Sequence, residues 1–141
     1  MIVRVATDAD MGACFALRRT VFIDEQNVPE ELELDEHDQT AVHLIAEIDG
    51  TPMGTARMMF GDDYAKVGRV CVLQSARGTG LGKALMLETI KQAKLRPGIT
   101  KVILQAQISA LGFYEALGFV AHGGIVMDAG IEHRDMVLAL T

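Results

Sequence analysis

The sequence predicts an α/β fold whose central sheet is mixed, with antiparallel N-terminal strands and a parallel central pair, and is flanked by helices. Two apolar stretches, residues 42–48 and 54–60, flank Asp49-Gly50, a dipeptide typical of the two-residue turn of an antiparallel hairpin. Farther along, the strand-like residues 67–73 precede a glycine-rich loop, a helix and another strand. A strand–helix–strand crossover of this kind places its two strands in parallel.

The other elements are predicted from hydrophobic spacing and from residues that start or stop helices. Thr7 and Asp10 resemble a capping box before the first helix, and Gly118 suits the left-handed position after a short one. We expect Gly123-Gly124 to interrupt the strand that starts at Phe119. Further strands are expected at residues 2–5, 101–106 and 131–140, with helices from about Gly80 to Pro97-Gly98 and at 109–117.

Composition favours a single domain, residues 1–141, in a reducing cytoplasm. The chain is long enough for a real core, and it has no apolar run near the length of a membrane span. Its N-terminus turns acidic at once, unlike a signal peptide, and its two cysteines form no disulfide framework. The net charge of −6 argues against nucleic acid as the main partner. The high apolar content leaves a homodimer open.

The glycine-rich loop at residues 77–82 carries the main functional signal. Alternating glycines before a helix let backbone N–H groups converge on one point, and the helix N-terminus adds positive potential. The loop therefore predicts a diphosphate site. A Walker A loop is excluded because Arg77 replaces its first glycine and Ala84 replaces its hydroxyl residue. The dinucleotide fingerprint G-x-G-x-x-G fails as well, because its third glycine is missing.

Residues 77–82 match the pattern Q/R-x-x-G-x-G/A, and with the strand and helix around them they resemble the GNAT acetyltransferases. The resemblance implies the GNAT acyl-CoA N-acyltransferase fold, acetyl-CoA as co-substrate and no metal. It also implies that backbone N–H groups of the central strand polarise the thioester. The residues implied in acetyl-CoA binding are Val70, Cys71, Val72, Arg77, Gly78, Thr79, Gly80, Leu81, Gly82, Lys83, Gln107, Ser109 and Tyr114.

The segment from Phe113 to Phe119 resembles the family's F-Y-x-x-x-G-F, whose tyrosine hydroxyl faces the sulfur of coenzyme A. The resemblance implies that Tyr114 protonates the departing thiolate, since a phenol of pKa ~10 still carries its proton at neutral pH. Gln107 and Ser109 stand near the position of an asparagine that binds pantetheine in relatives. A covalent role for Cys71 is disfavoured because no histidine has an evident place beside it.

The N-terminal half resembles the ElaA-like and YjcF-like subgroup of this family, with an arginine before V-F, then E-Q, E-x-D-x-x-D and a histidine. Either Arg18 or Arg19 answers the arginine position. Residues 24–38 contain eight acidic side chains and no Lys or Arg. This segment is either a solvated loop or a lid whose carboxylates attract an ammonium group and supply a base.

Several side chains are candidates for the general base that deprotonates the acceptor. Glu25 lies in the acidic segment, and His133 lies in Gly130-Ile131-Glu132-His133-x-x-Met136, which resembles the subgroup's G-I-x-H-x-x-M. Glu25 and His133 are the main candidates for the general base, and the further candidates are Asp35, Asp38 and His43. A zinc site is disfavoured because the histidine spacing matches no standard ligand pattern.

Together these features predict an N-acetyltransferase that transfers the acetyl group of acetyl-CoA directly to an amine, either a small molecule or a peptide. Two alternatives stay open. One is another CoA-dependent acyltransferase, similar to an acyl-homoserine-lactone synthase. The other is a non-catalytic CoA-binding domain.

Overall fold

The computed structural model describes residues 1–141 and is built on one seven-stranded sheet. The strands are β1 (Ile2–Val5), β2 (Val42–Ile48), β3 (Thr51–Phe60), β4 (Tyr64–Val72), β5 (Lys101–Gln107), β6 (Val120–Asp128) and β7 (Ile131–Ala139). They lie in the order β1-β2-β3-β4-β5-β7-β6. Only β4 and β5 pair in parallel, and every other neighbouring pair is antiparallel. The predicted mixed sheet is confirmed.

Helices cover both faces of this sheet. They are α1 (Met11–Arg18), which continues into a π-helical segment (Arg19–Glu25), then α2 (Glu30–Glu33), α3 (Leu81–Leu95) and α4 (Leu111–Ala116). On one face, Met86 and Ile90 of α3 pack with Met58 of β3 in the main core. Because side chains alternate between the faces of a strand, Arg57 points to the opposite face, where α1 lies against β3. None of the helices is both long and apolar enough to cross a membrane.

The turn and the helix end predicted from glycine positions are both present, but one predicted strand break is not. Asp49 and Gly50 have φ angles of 50° and 78°, as a type I′ hairpin turn requires, and Gly118 has φ of 102° just beyond α4. The expected interruption at Gly123-Gly124 is wrong. β6 runs through both residues, and a register shift between His122 and Ile125 absorbs them as a β-bulge.

The acidic segment folds back onto arginines on the α1 face of the sheet. The guanidinium of Arg18 is 1% exposed and donates to Glu33 at 2.5 Å and to Asp38 at 2.7 Å. Arg57 of β3 donates to Asp35 at 2.7 Å and also contacts Asp38 at 3.1 Å. Charges from three parts of the chain therefore neutralise one another beneath α1.

This network corrects both interpretations of residues 24–38 for Glu33, Asp35 and Asp38, whereas the other five acidic side chains are exposed. Glu33 is 3% exposed and Asp38 is mostly buried, so neither carboxylate belongs to a solvated loop or is free to attract an ammonium group. Of the two arginines before V-F, Arg18 is the buried one, whereas its neighbour Arg19 is exposed and pairs with the exposed Glu30. Hydrophobic spacing does not reveal this, since the partners are 15 and 20 residues from Arg18.

The arginines keep the Asp35 and Asp38 carboxylates charged. Burial alone would raise the pKa of Asp38, but hydrogen bonds and the positive charge of Arg18 and Arg57 outweigh burial and lower it. The pKa of Asp35 is lowered in the same way, mainly by Arg57. A carboxyl whose pKa is depressed in the folded state stabilises the fold above its ordinary pKa. That stability is lost as the pH falls through the depressed value.

We predict that Arg18→Met destabilises the protein by about 3–5 kcal/mol, because it leaves the buried Glu33 carboxylate without its main cation. Urea unfolding near neutral pH measures the change. Arg19→Met is the matched control, since it removes an exposed pair, and it should cost no more than about 1 kcal/mol. Equal losses in the two variants would contradict a stabilising role for the buried network.

Candidate active site

The two parallel strands at the centre of the sheet separate partway along their length. Their pairing runs from Tyr64–Lys101 to Val67–Leu104 and ends there. Beyond this point a cavity of about 400 Å³ opens between the strands. We call it the central cavity. Its walls include residues from the π-helical segment, β4, β5, α4 and the β6–β7 turn, among them Gln26, Val70, Gln107, Tyr114 and His133.

A β-bulge in β4 lies at the edge of this cavity. The register between β3 and β4 shifts between Thr55 and Arg57, so that Arg69 and Val70 together oppose a single residue of β3. Arg69 has φ of 52°, an uncommon conformation for a residue with a side chain. Its guanidinium donates to the carbonyl of Glu33 at 3.0 Å and to that of Leu32 at 3.2 Å. The bulge re-aims the backbone just where β4 leaves β5.

Of the three strand residues predicted to bind pantetheine, Val70 is the one that lines the central cavity. Cys71 is 4% exposed and pairs in register with Thr55 of β3. Burial raises the pKa of the Cys71 thiol to about 12, so the thiol stays protonated and is a poor nucleophile. Val72 is half-buried and packs against the cluster below α3.

The glycine loop has the backbone form that an anion site requires. Gly78 and Gly80 have φ of 80° and 89°, and a Cβ at either position would meet no atom within 4 Å. Thr79 donates to the carbonyl of Ala76 at 2.5 Å and accepts from the N–H of Leu81 at 3.3 Å, which holds the loop against the start of α3. The next N–H groups of α3 have no intrahelical partner. The loop therefore offers open space and backbone donors together.

The remaining loop residues differ in how freely they can act. Gly82 sits close to the ring of Phe113, whose nearest atom would lie 3.6 Å from an added Cβ. Lys83 is exposed and makes no ion pair within 4.0 Å. Arg77 is engaged: it donates to both carboxylate oxygens of Glu25 at 2.5 and 2.8 Å, and to the carbonyl of Val72 at 3.0 Å.

This pairing places Glu25 beside the loop and not on the wall of the central cavity. The hydrogen bonds from Arg77 lower the pKa of the Glu25 carboxyl, and the arginine charge adds to the effect. A carboxylate with a lowered pKa is a weaker base. The bidentate contact instead ties the end of the π-helical segment to the glycine loop.

Tyr114 stands on the wall of the central cavity and is 8% exposed. Its ring packs edge-on against Phe113 and Phe119, with centroids 5.0 and 5.8 Å away. Burial raises the pKa of the Tyr114 phenol to about 12. The phenol is therefore a hydrogen-bond donor throughout the neutral and moderately alkaline range.

His133 also lines the central cavity, and its tautomer is set by the backbone. Its Nδ1 donates to the carbonyl of Ile131 at 2.7 Å, because a carbonyl can only accept. In the neutral imidazole this leaves the lone pair on Nε2.

Two further candidate bases are engaged by other groups. Asp35 lines the same cavity but is held by Arg57. His43 contacts the carbonyl of Asp38 at 3.0 Å through Nε2.

The two polar residues before α4 behave differently from each other. The side-chain amide of Gln107 donates to Gln26 at 2.9 Å and joins β5 to the π-helical segment across the cavity wall. Ser109 is exposed in the short turn that precedes α4 and does not line the cavity. No group of three or more His, Cys, Asp or Glu side chains is arranged to bind a metal ion.

Sequence reasoning missed three cationic residues of the cavity wall, Arg57, Lys66 and Arg69. A signal was present, because each interrupts an otherwise apolar strand of the central sheet. A charged residue in a central strand usually needs a partner or a ligand. In the sequence Gln26 stands out only as part of the E-Q pattern, because its place beside Gln107 depends on tertiary contact.

Parallel strands that part at a cavity, next to a glycine loop leading into a helix, define an acyltransferase that uses a coenzyme A thioester. The family model of the acetyltransferase (GNAT) domain matches residues 5–140, and the chain belongs to this family. It is therefore an acetyl-CoA-dependent N-acetyltransferase.

Two relatives and one solved structure are similar over almost their whole length. YyaT of Bacillus subtilis (strain 168), described as an uncharacterized protein, is 37% identical over 137 residues, which cover 94% of this chain and 90% of YyaT. YjcF of the same strain, an uncharacterized N-acetyltransferase, is 36% identical over 124 residues, covering 87% and 88%. The crystal structure of Escherichia coli ElaA matches with a TM-score of 0.85 at 25% identity and covers 96% of this chain and 97% of ElaA. The subgroup resemblance is confirmed.

Proposed function

We propose that this enzyme transfers the acetyl group of acetyl-CoA directly to an amine that enters the central cavity, with no acyl-enzyme. One observation carries the proposal: where β4 and β5 part, backbone donors, a protonated phenol and an imidazole lone pair line the same cavity. The high pKa of the Cys71 thiol argues against a covalent route.

The glycine loop is proposed to hold the diphosphate of acetyl-CoA. Gly78 and Gly80 leave room for phosphate oxygens, and α3 begins directly after them, so that its unpaired first-turn N–H groups are proposed as the donors. Lys83 supplies the free positive charge, whereas Arg77 acts through its pair with Glu25, which holds the loop in place. Val70 is proposed to polarise the thioester through its N–H group, a kind of contact worth ~3–4 kcal/mol in oxyanion holes.

We predict that Gly80→Glu abolishes saturable binding of acetyl-CoA, because the new side chain puts bulk and negative charge where the diphosphate lies. Calorimetric titration with acetyl-CoA measures this, with ATP and NAD as competing ligand controls. Gly123→Glu is the matched variant: Gly123 also has positive φ, 72°, and open space around it, but lies in β6. Binding by Gly80→Glu, or its loss in both variants, would count against the proposed loop.

Tyr114 is proposed as the general acid that gives its proton to the sulfur as the C–S bond breaks. We predict that Tyr114→Phe lowers kcat by roughly 100-fold or more while acetyl-CoA binding stays within about twofold. Because the pKa of the Tyr114 phenol is raised to about 12, wild-type activity should not be lost through its deprotonation below about pH 11. Release of CoA monitored with a thiol reagent, on an acceptor found by screening amines, measures kcat. Wild-type turnover by the variant would remove this role.

Of the two proposed bases we favour His133, because it lines the cavity and its Nε2 carries a lone pair. Glu25 lies outside the cavity wall and is paired with Arg77. We predict that His133→Gln lowers kcat/KM by roughly 100-fold near pH 7. The loss should shrink as the pH rises, because more acceptor is then already a free amine. His122→Gln, an exposed histidine of β6, is the control. A pH-independent loss would indicate a structural role for His133.

The two alternative functions give different results in the same assays. An acyl-homoserine-lactone-synthase-like enzyme would prefer donors with longer acyl chains over acetyl-CoA. A non-catalytic CoA-binding domain would bind acetyl-CoA through the glycine loop but release no CoA with any amine, in wild type and Tyr114→Phe alike.

A further inference from the structure

A second cavity of about 470 Å³ lies near the start of β4. The two cavities share three wall residues, His37, Met59 and Lys66. They therefore lie next to each other along β4, and we call the two together the cleft. We call the second part of this cleft the outer cavity.

Charge in the outer cavity is of one sign. None of its seven wall residues is acidic, and two of them, Lys66 and Arg96, are cationic. Neither has a carboxylate within 4.0 Å, although Asp62 and Asp63 occupy the turn just before β4. The guanidinium of Arg96 instead lies over the ring of Phe60, 3.9 Å from its centroid, which holds it at the cavity wall.

Apart from the shared Lys66, the cationic residues of the central cavity are already paired with carboxylates. Arg57 and Arg69 both contact Asp35, at 2.7 and 3.3 Å, and Arg69 also lies 3.5 Å from Glu33. Unpaired positive charge is therefore confined to the outer end of the cleft. At the inner end the β6–β7 turn contributes Asp128, a wall residue that makes no ion pair.

From this polarity we infer that the acceptor is an amine that also carries an anionic group, a carboxylate or a phosphate, which binds Lys66 and Arg96 in the outer cavity. The inference rests on the proposed function, because it places the amine at the inner end, near His133 and Tyr114. Asp128 favours a cationic amine as it enters, and the outer cations hold the anion.

The geometry of β4 also sets the length of such an acceptor. Val70 lies four positions after Lys66, which corresponds to roughly 13 Å at the rise of a β-strand. The flexible lysine side chain shortens the distance that the ligand must span. An α-amino acid is too short to bridge it, whereas a peptide of a few residues or a chain of similar length is suitable.

The test uses probes that differ only in the anion. Aminooctanoate, an ω-amino acid of suitable length, is compared with its uncharged amide aminooctanamide, and glycine serves as the short acid. Aminooctyl phosphate distinguishes a phosphate preference from a carboxylate preference. Binding is measured by calorimetry on the full chain, with and without saturating CoA, and acetylation is measured by CoA release from acetyl-CoA.

We expect wild type to bind and acetylate aminooctanoate or aminooctyl phosphate about tenfold better than the amide, as a charge-assisted contact implies, and better than glycine. The advantage should decrease as salt is added. In the double variant Lys66→Gln/Arg96→Gln, the advantage of the charged probes over the amide should fall to within about twofold. Lys91→Gln, an exposed lysine of α3 outside the cleft, should keep it.

Equal binding of the charged probes and the amide, or no binding of any of them, would overturn the inference. An advantage that survives in the double variant would overturn it as well. These outcomes are distinct from failure of the proposed function, which would appear as no binding of acetyl-CoA or as no release of CoA with any amine. Calorimetry measures the preference for an anion even if the protein shows no catalytic activity.

Discussion

The separation of β4 from β5 beyond the pair Val67–Leu104 is the constraint on which the site depends. Backbone N–H and C=O groups inside a sheet are almost always paired, so a strand that loses its neighbour presents a row of unused donors and acceptors. Here that loss occurs at the middle of the sheet, next to the glycine loop and α4. Substrate groups can therefore meet main-chain donors in a partly buried cavity, where such contacts are stronger than in water.

The bulge at Arg69 and the buried ion network support each other. Arg69 adopts a positive φ, and its guanidinium binds the carbonyl groups of Leu32 and Glu33. The carboxylate of Glu33 is in turn bound by Arg18 from α1. A buried ion network of this kind contributes less to net stability than to selecting one arrangement, because desolvation offsets much of its attraction. The acidic segment thus fixes the shape of the cavity wall.

The parts of the site that the sequence predicted are local ones. The glycine loop and the tyrosine of α4 are short patterns, and their geometry depends mainly on the residues within them. Positive φ angles at Gly78 and Gly80, and the start of α3 directly after them, follow from the order of glycines. The pairing of Glu25 with Arg77, which lowers the pKa of its carboxyl, did not follow, because Arg77 lies 52 residues away in the chain.

The sequence by itself determined the mixed α/β sheet, the Asp49-Gly50 hairpin and the strand–loop–helix that leads into α3, because alternation and turn residues act over a few positions. Only the tertiary structure decided that Glu33, Asp35 and Asp38 turn inward, that β6 continues through Gly123-Gly124, and that Lys66 and Arg96 share a cavity. Pairing between side chains distant in the chain depends on how the helices pack on the sheet, and no local pattern records that packing.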